Sequence, residues 1–522
     1  LPNIKRDSLH SCVDYWVEER GSHMALSDAQ REVDYKELAE TTSSWAAALT
    51  GAGFARGTRM AWLGKNSITY AMLFVAASRA GMVVVPVGWR LSVPEVSYIL
   101  NDTGAHILIC EPDFTDMASQ AKENCKELRT ILCDGEGSPF PDLTEWLAGQ
   151  PQGDVTEANP NDCVLQLYTS GTTGSPKGAL LSNYNLFSLR EPLEEKGWGW
   201  AKIDTSDQMA VIMPIAHIAG SGYFAHGFYA GVGARVLPEF TPDAALDAVE
   251  AGVTQMFLVP TAVQMMITHP RATGTDFSRL KYMHYGAAPM PLELLRQAMD
   301  VMGCGFCQHY GMTETTGTFS MLQAEDHDPM GNARMRSAGQ PLPGVEVKIV
   351  DENGETLTHG QVGEIATRSP LNMIEYWNKP DKTAETVDSE GWLITGDAAY
   401  MDEDGYIFIQ DRVKDMIITG GENVYPAEVE NAIFGHEDVL EVAVIGVPDE
   451  KWGECVKAVV VPRPDRSIDE GAIIAHARSH IAAFKAPKSV DVIAEMPRNA
   501  SGKILRRELR APYWEGRERG VN

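Results

Sequence analysis

At 522 residues the chain exceeds one ordinary globular core, which predicts two or three domains. Its 44% hydrophobic and 22% charged residues are those of a folded protein, and no apolar run approaches the roughly eighteen residues of a membrane-spanning helix. A net charge of −28 argues against a nucleic-acid partner, because phosphate backbones reward basic surfaces, but leaves room for small anions met by a local cluster of donors.

The first residues lack the basic, apolar and small-residue order of a secretory signal, so a cytoplasmic setting is expected. Gly21–Met24 resembles a cloning remnant but runs directly into Ala25 and Leu26, and is read as native. Ala71–Ala80 reads as a helix stopped by Gly81. Val83–Val87, His106–Cys110, Met209–Met213 and Gln255–Val259 are apolar runs of strand length. Met256–Ile267 is the most apolar stretch, yet it is short and contains Pro260 and Gln264, so it reads as core. The eight cysteines show no framework spacing, which predicts reduced thiols; Cys304 and Cys307 read as two packed thiols near a strand.

This alternation predicts an α/β fold up to about residue 410: a large N-terminal domain of layered, mostly parallel sheets and helices. The pattern then changes. Tyr406–Gln410 and Met416–Thr419 flank a charged connection, followed by a helix (Ala427–Phe434) and strands Glu441–Val447 and Val456–Val461. A helix opened by Ser467 with Glu470 at capping-box spacing and a last strand, Ser489–Ile493, complete a small α+β domain. The expected division is 1–411 for the large domain, 412–415 for a hinge and 416–522 for a small C-terminal domain.

Strand Cys163–Leu167 runs into Tyr168-Thr-Ser-Gly-Thr-Thr-Gly-Ser-Pro-Lys-Gly178. Glycines let this backbone turn tightly and present N–H groups to an anion; Thr169, Ser170, Thr172 and Thr173 add hydroxyls around Gly171, and Lys177 adds a mobile charge. No Ser or Thr follows the lysine, so this is a phosphate loop of another kind than Walker A. The stretch resembles the signature of the acyl-adenylate-forming superfamily, and further segments follow in that family's order. They are Gly286-Ala-Ala-Pro289, Gln308-His-Tyr-Gly-Met-Thr-Glu314, Thr395-Gly-Asp397, Asp411-Arg412 and Pro497-Arg-Asn-Ala-Ser-Gly-Lys503.

The resemblance implies an AMP-forming acyl-CoA ligase, whose co-reactants are ATP, Mg²⁺ and coenzyme A. Two anions must react, and at about 4 Å with an effective dielectric of about 20 their repulsion is roughly 4 kcal/mol, so cations must stand between them. By resemblance Glu314 is the Mg²⁺ ligand, Thr313 contacts the α-phosphate, and Lys503 bridges the acyl carboxylate and the α-phosphate. Gly286, Ala287, Ala288 and Tyr310 would pack on adenine, with Gln308, His309 and Gly311 in the same segment, while Asp397 assisted by Arg412 would hold the ribose. Lys414 takes the hinge position, about which the small domain is mobile. Gly420, Gly421 and Glu422 belong to the segment presented for thioester formation with CoA.

The acyl pocket is implied at Pro214-Ile-Ala-His217-Ile-Ala-Gly-Ser-Gly-Tyr223, with Gly311 across from it. Relatives that adenylate amino acids carry an Asp there; His217 stands in its place, so an ammonium would be unpaired and an unaminated hydrophobic acid is expected. Medium- or long-chain fatty acid is the first choice and an aryl or alicyclic acid the second; a stand-alone enzyme loading a carrier protein is the remaining reading. His309 replaces a small residue of many relatives and either shortens the acyl tunnel or points toward adenine. Asn183 replaces a frequent His without an evident reason. Partners reduce to the small-molecule acid, with a homodimer as the common assembly among such enzymes and peripheral membrane association as a route to lipophilic acids.

Overall fold

The computed structural model describes residues 4–155, 159–169, 176–198, 203–412, 414–498 and 503–515. Helix Ile68–Ala80 shows how closely local chemistry sets the elements. Ser67 caps it by accepting from the Tyr70 amide, Gly81 ends it at φ +66°, and its interior is buried on nearly every side. It feeds Val83–Val87, a strand of a six-stranded sheet that is parallel except for its last member, Lys177–Ser182, which returns antiparallel to Cys163–Thr169.

The second sheet has nine strands, in which Met24–Ser27, Gly233–Val236, Gln208–Val211, Gln255–Leu258, Tyr282–Gly286 and Gly305–Tyr310 run parallel in that spatial order. Helices Ile218–Ala230, Pro242–Glu250, Pro260–Thr268 and Leu292–Met302 supply the crossovers. From Gln208–Val211 the chain builds outward one way to Gly233–Val236 and then the other way through Gln255–Leu258. That reversal leaves a crevice at the carboxyl ends of the strands, where ligands of α/β sheets settle. Of residues 21–24, the first three form a turn and Met24 begins the strand, pairing with Asp34.

Residues 346–412 depart from the expected alternation. Glu346–Val350, Gly363–Arg368, Leu393–Met401 and Ile407–Arg412 form an antiparallel four-stranded sheet with no crossover helix between Leu393 and Arg412. Ile407–Arg412 belongs to this sheet, whereas Ile417–Thr419 belongs to the next. That next sheet is built on the long hairpin Val439–Asp449 and Gly453–Pro462, with Ser489–Val492 added in parallel and helices Pro426–Phe434 and Glu470–His480 beside it. The helix cap differs from expectation. Asp469, not Ser467, accepts from the Ala472 amide, and Glu470 instead accepts from the Val490 amide, tying the helix to the sheet.

All eight cysteines are thiols, with Cys307 buried in its strand and Cys304 half-buried at its start. Met256–Ile267 divides into strand and helix, and Gln264 Nε2 on the helix donates to the Leu440 carbonyl of the small unit at 3.2 Å. Among the described residues no helix is long and apolar enough to cross a membrane.

Candidate active site

Ser170, Gly171, Thr172 and Thr173 lie outside the described residues; the loop's flanks are described. Thr169 pairs with Lys177, and the Lys177 ammonium stands 3.9 Å from the centre of the Tyr376 ring. Burial lowers the Lys177 pKa, and Glu314 opposes the shift. Tyr376 Oη donates to Glu314 Oε1 at 2.6 Å, so one aromatic ring joins the loop's cation to the buried carboxylate. A Cβ at Gly178 would fall 2.5 Å from the side-chain nitrogen of Gln166, which would have to shift to admit it.

Glu314 sits in the short turn Thr313–Thr315, which follows Gly305–Tyr310 through Gly311. A Cβ at Gly311 would collide with the Gly317 carbonyl, so the chain can double back only there. Strand alternation sends Tyr310 and His309 to opposite faces. Tyr310 Oη donates to Asp397 Oδ2 at 2.7 Å, and Arg412 Nε pairs with Asp397 Oδ1 at 2.7 Å from the adjacent register position. Burial and Asp397 push the Tyr310 pKa well above its ordinary value. Burial opposes the Arg412 charge, but Asp397, Tyr310, Glu314 and Asp415 together outweigh it and the Arg412 pKa rises. Tyr310 was expected to stack on adenine; its ring lies edge-on to Phe319, and its hydroxyl is committed to Asp397. Gln308 accepts from Tyr285 Oη at 3.4 Å.

His309 enters the interior. It is buried against Phe257 and His284 on the sheet face that meets helix Ile218–Ala230, the face opposite to Tyr310. His217 is the N-cap residue of that helix, and burial holds its imidazole neutral, with a pKa lowered to about 4. Gly220 lets the first turn close onto the Met213 and Pro214 carbonyls, which a Cβ would strike at about 2.5 Å. Tyr223, one turn on, is buried in the same layer. Asn183 has a structural role: its side-chain oxygen accepts from the Leu9 amide at 3.2 Å and from Ser78 at 3.3 Å.

Gly286, Ala287 and Ala288 leave the strand Tyr282–Gly286 at the crevice. Ala287 adopts φ +65°, a left-handed conformation that an alanine holds only under constraint. Ala287, Ala288, Pro260, Arg498, Arg506 and Lys503 line one cavity of about 140 Å³ between the large and small units. Lys503 is open to the solvent of this crevice, yet the surrounding protein and Arg412 hold its pKa below the ordinary lysine value, with Asp397 opposing. Lys177 with Glu314, Tyr310 with Asp397 and Arg412, and Lys503 facing Asp397 and Arg412 therefore converge.

Gly420 and Gly421 form a tight turn with φ +61° and +86°, placed against Trp452 rather than in that cavity's lining. Glu422 beside them is exposed, as is Lys414, whose charge acts on Lys177 and Glu364.

Sequence reasoning missed two groups. Tyr376 lies in no motif and is linked to Glu314 only by the fold. Arg506 is half-buried among Glu430 (2.7 Å), Asp411 (3.6 Å) and Asp415 (3.8 Å), and its position three residues after Lys503 was the available signal. Glu314 suits a hard cation: a buried carboxylate with one oxygen held by Tyr376 offers its other oxygen, and magnesium takes few protein ligands when phosphates and water supply the rest.

A family model described as AMP-binding enzyme matches residues 13–377, and one described as AMP-binding enzyme C-terminal domain matches residues 428–503. The chain is 40% identical over 495 residues, 94% of each chain, to a fatty acid–[acyl-carrier-protein] ligase, ScoC, of Streptomyces coeruleorubidus. It is 38% identical to a feruloyl-CoA synthase of an Amycolatopsis species, over 92% of this chain and 94% of the other. Among solved structures, ATP-bound MatB from Rhodopseudomonas palustris superposes with a TM-score of 0.86 at 32% identity, covering 97% of this chain and 99% of that one.

Proposed function

The chain belongs to the AMP-binding enzyme family, and from that premise we propose that it is an AMP-forming acid–thiol ligase. It joins a hydrophobic carboxylic acid to ATP as acyl-AMP, releasing pyrophosphate, and then passes the acyl group to the thiol of coenzyme A. The observation that carries this reading is Lys503 facing Asp397 and Arg412 in the crevice that also holds Ala287 and Ala288.

In the first half-reaction an acid oxygen attacks the α-phosphorus and pyrophosphate leaves. Lys503 bridges the acid carboxylate and the α-phosphate, and the surrounding protein and Arg412 hold its pKa below the ordinary lysine value while Asp397 opposes the shift. Asp397, oriented by Tyr310 and Arg412, accepts from the ribose hydroxyls. Ala287 and Ala288 offer a flat approach to adenine, and Thr313 and the loop after Thr169 donate to the phosphates. Glu314, steadied by Tyr376, would hold Mg²⁺, which when bound neutralises phosphate charge. No carboxylate occurs in Pro214–Phe224, and His217 is neutral, so this segment has nothing to pair with an ammonium.

For the second half-reaction the small unit pivots at 412–415, near Lys414, withdrawing Lys503 and presenting the Gly420–Gly421–Glu422 turn, because one cleft cannot serve both pyrophosphate departure and thiol entry with the same groups. The relative that acts on an acyl carrier protein supports a second reading for the acceptor, a carrier-borne thiol in place of CoA.

The test is Lys503→Ala. Pyrophosphate release from acid plus ATP is expected to fall about a thousandfold, matching the roughly 4 kcal/mol of repulsion it screens. Thioester formation from supplied acyl-adenylate should persist, and offering CoA and a holo-carrier protein side by side identifies the thiol. Equal loss of both half-reactions in a folded variant would refute the alternating scheme.

A further inference from the structure

Between helix Ile218–Ala230 and the strands Gln255–Leu258, Tyr282–Gly286 and Gly305–Tyr310 lies a layer more polar than a hydrocarbon pocket needs. The parallel register places Phe257 beside His284 and Gly286 beside His309, on one sheet face. Through it runs a chain of hydrogen bonds: Thr318 Oγ1 to His309 Nδ1 (3.1 Å), His309 Nε2 to His284 Nδ1 (2.9 Å), and His284 Nε2 to Gln255 Oε1 (3.0 Å). Gln255 Nε2 then donates to Asp207 Oδ2 at 3.3 Å, and Lys281 holds the other oxygen of this buried carboxylate.

Each proton in the chain is assigned by its neighbour. A carboxylate accepts only, so Gln255 must turn its NH₂ to Asp207 and its oxygen to His284. His284 therefore carries its proton on Nε2 and accepts at Nδ1, and His309 donates from Nε2 and accepts at Nδ1. Both rings are neutral because burial lowers their pKa, to about 4 for His284 and well below the ordinary value for His309. Thr318 is thus the donor to His309, and its oxygen keeps lone pairs for a donor from elsewhere. Across the layer Tyr223, 4% exposed, packs against Phe257 and His284, and its hydroxyl has no hydrogen-bond partner among the described residues.

We propose that this layer is the distal wall of the acyl pocket and that it selects a flat acid carrying a hydroxyl or N–H group at the end remote from its carboxylate. The inference rests on the acid-ligase reading and narrows its substrate class. His217 lies at the helix start and Gly286 and Gly311 at the carboxyl ends of their strands, the end of the layer nearest the crevice, and on this proposal an acid activated in the crevice extends its far end against His309, Phe257 and Tyr223. Aromatic walls suit a flat ring. A plain alkyl tail would exclude water and leave the Tyr223 hydroxyl unpaired, whereas a distal hydroxyl pairs with it or donates to Thr318. Sites built to hydrogen-bond a substrate group reject the analogue lacking it far more strongly than apolar pockets reject a methylene.

Two matched acids, 4-hydroxycinnamate and cinnamate, together with decanoate, serve as probes of the full-length protein. Equilibrium binding is measured by calorimetry and kcat/KM by pyrophosphate release. The hydroxylated acid is expected to bind at least about tenfold more tightly and to react about a hundredfold faster in kcat/KM than cinnamate, with decanoate poorer still. Tyr223→Phe, a substitution that keeps the ring, should shrink the hydroxyl preference about tenfold, and its melting curve reports whether it is folded; Thr318→Val should shrink the preference independently. Equal binding of the two cinnamates, tighter binding of decanoate, failure of all three to bind, or a preference unmoved in both variants overturns the proposal. Selective binding without pyrophosphate release from any acid would support the subsite and refute the ligase reading alone.

Discussion

Asp397 shows how single side chains in this crevice depend on one another. Its two oxygens are taken by different partners, Tyr310 on one and Arg412 on the other, so the carboxylate is fixed before any diol approaches. Removing the hydroxyl alone, in Tyr310→Phe, frees Asp397 to rotate about its remaining ion pair. A hydrogen bond to a charged group contributes about 1.5–3 kcal/mol, part of which Arg412 retains. KM for ATP should therefore rise about tenfold with kcat little changed, measured by pyrophosphate release at saturating acid. An unchanged KM would separate Asp397 from nucleotide binding. Asp397, Arg412, Glu314 and Lys503 could all be read from the sequence because each sits in a compact local motif. Tyr376 and Arg506 could not, since their partners are 62 and 76 residues distant and the contact exists only after sheets have packed.

Among the elements, the turn that leaves strand Tyr282–Gly286 combines two adjacent residues with opposite demands. A Cβ at Gly286 would stand 2.2 Å from the His309 carbonyl, so the neighbouring strands approach only because it is absent. Ala287 next to it bears a side chain at φ +65°, which costs an L-residue about 1–2 kcal/mol. Gly286→Ala is expected to destabilise the protein by about 2 kcal/mol or more through backbone overlap. Ala287→Gly should raise stability by up to about 1 kcal/mol, the relieved strain exceeding the added entropy of the unfolded chain. Denaturant midpoints measured on both variants decide between this and a simple small-residue requirement, under which both substitutions would be tolerated equally. Most elements were legible at this scale: runs such as Val83–Val87 are set by β-branched composition and their flanking punctuation. The cap at Asp469 was not, because Ser467 and Asp469 both satisfy local capping rules and the pull of Val490 on Glu470 comes from a strand twenty residues away. Residues 346–412 misled for a related reason, since short half-buried strands look alike whether a helix or a hairpin joins them.

For the whole molecule, the join between the two units is where charge and geometry meet. Asp411 is the penultimate residue of the strand Ile407–Arg412, and its carboxylate accepts from the Ala427 amide at the start of a small-unit helix at 2.9 Å. Burial, with Glu430 adding to it, raises the Asp411 pKa to about 6 against the pull of Arg506. A carboxyl whose folded pKa lies above its unfolded value binds more protons when folded, so its contribution to stability is present at low pH and is lost as pH rises from about 4 to about 6. Asn at this position accepts the same amide hydrogen bond but never charges. The stability of Asp411→Asn relative to the parent should therefore improve between pH 4 and pH 7, by up to about 3 kcal/mol for a shift of about two units. Comparing the two proteins cancels other titrations, including the opposite one of His217, whose lowered pKa makes stability rise with pH up to about 6.5. A flat difference curve from chemical denaturation across that range would mean that Asp411 titrates as it does in water, and that the small unit does not rest on it in solution as it does here.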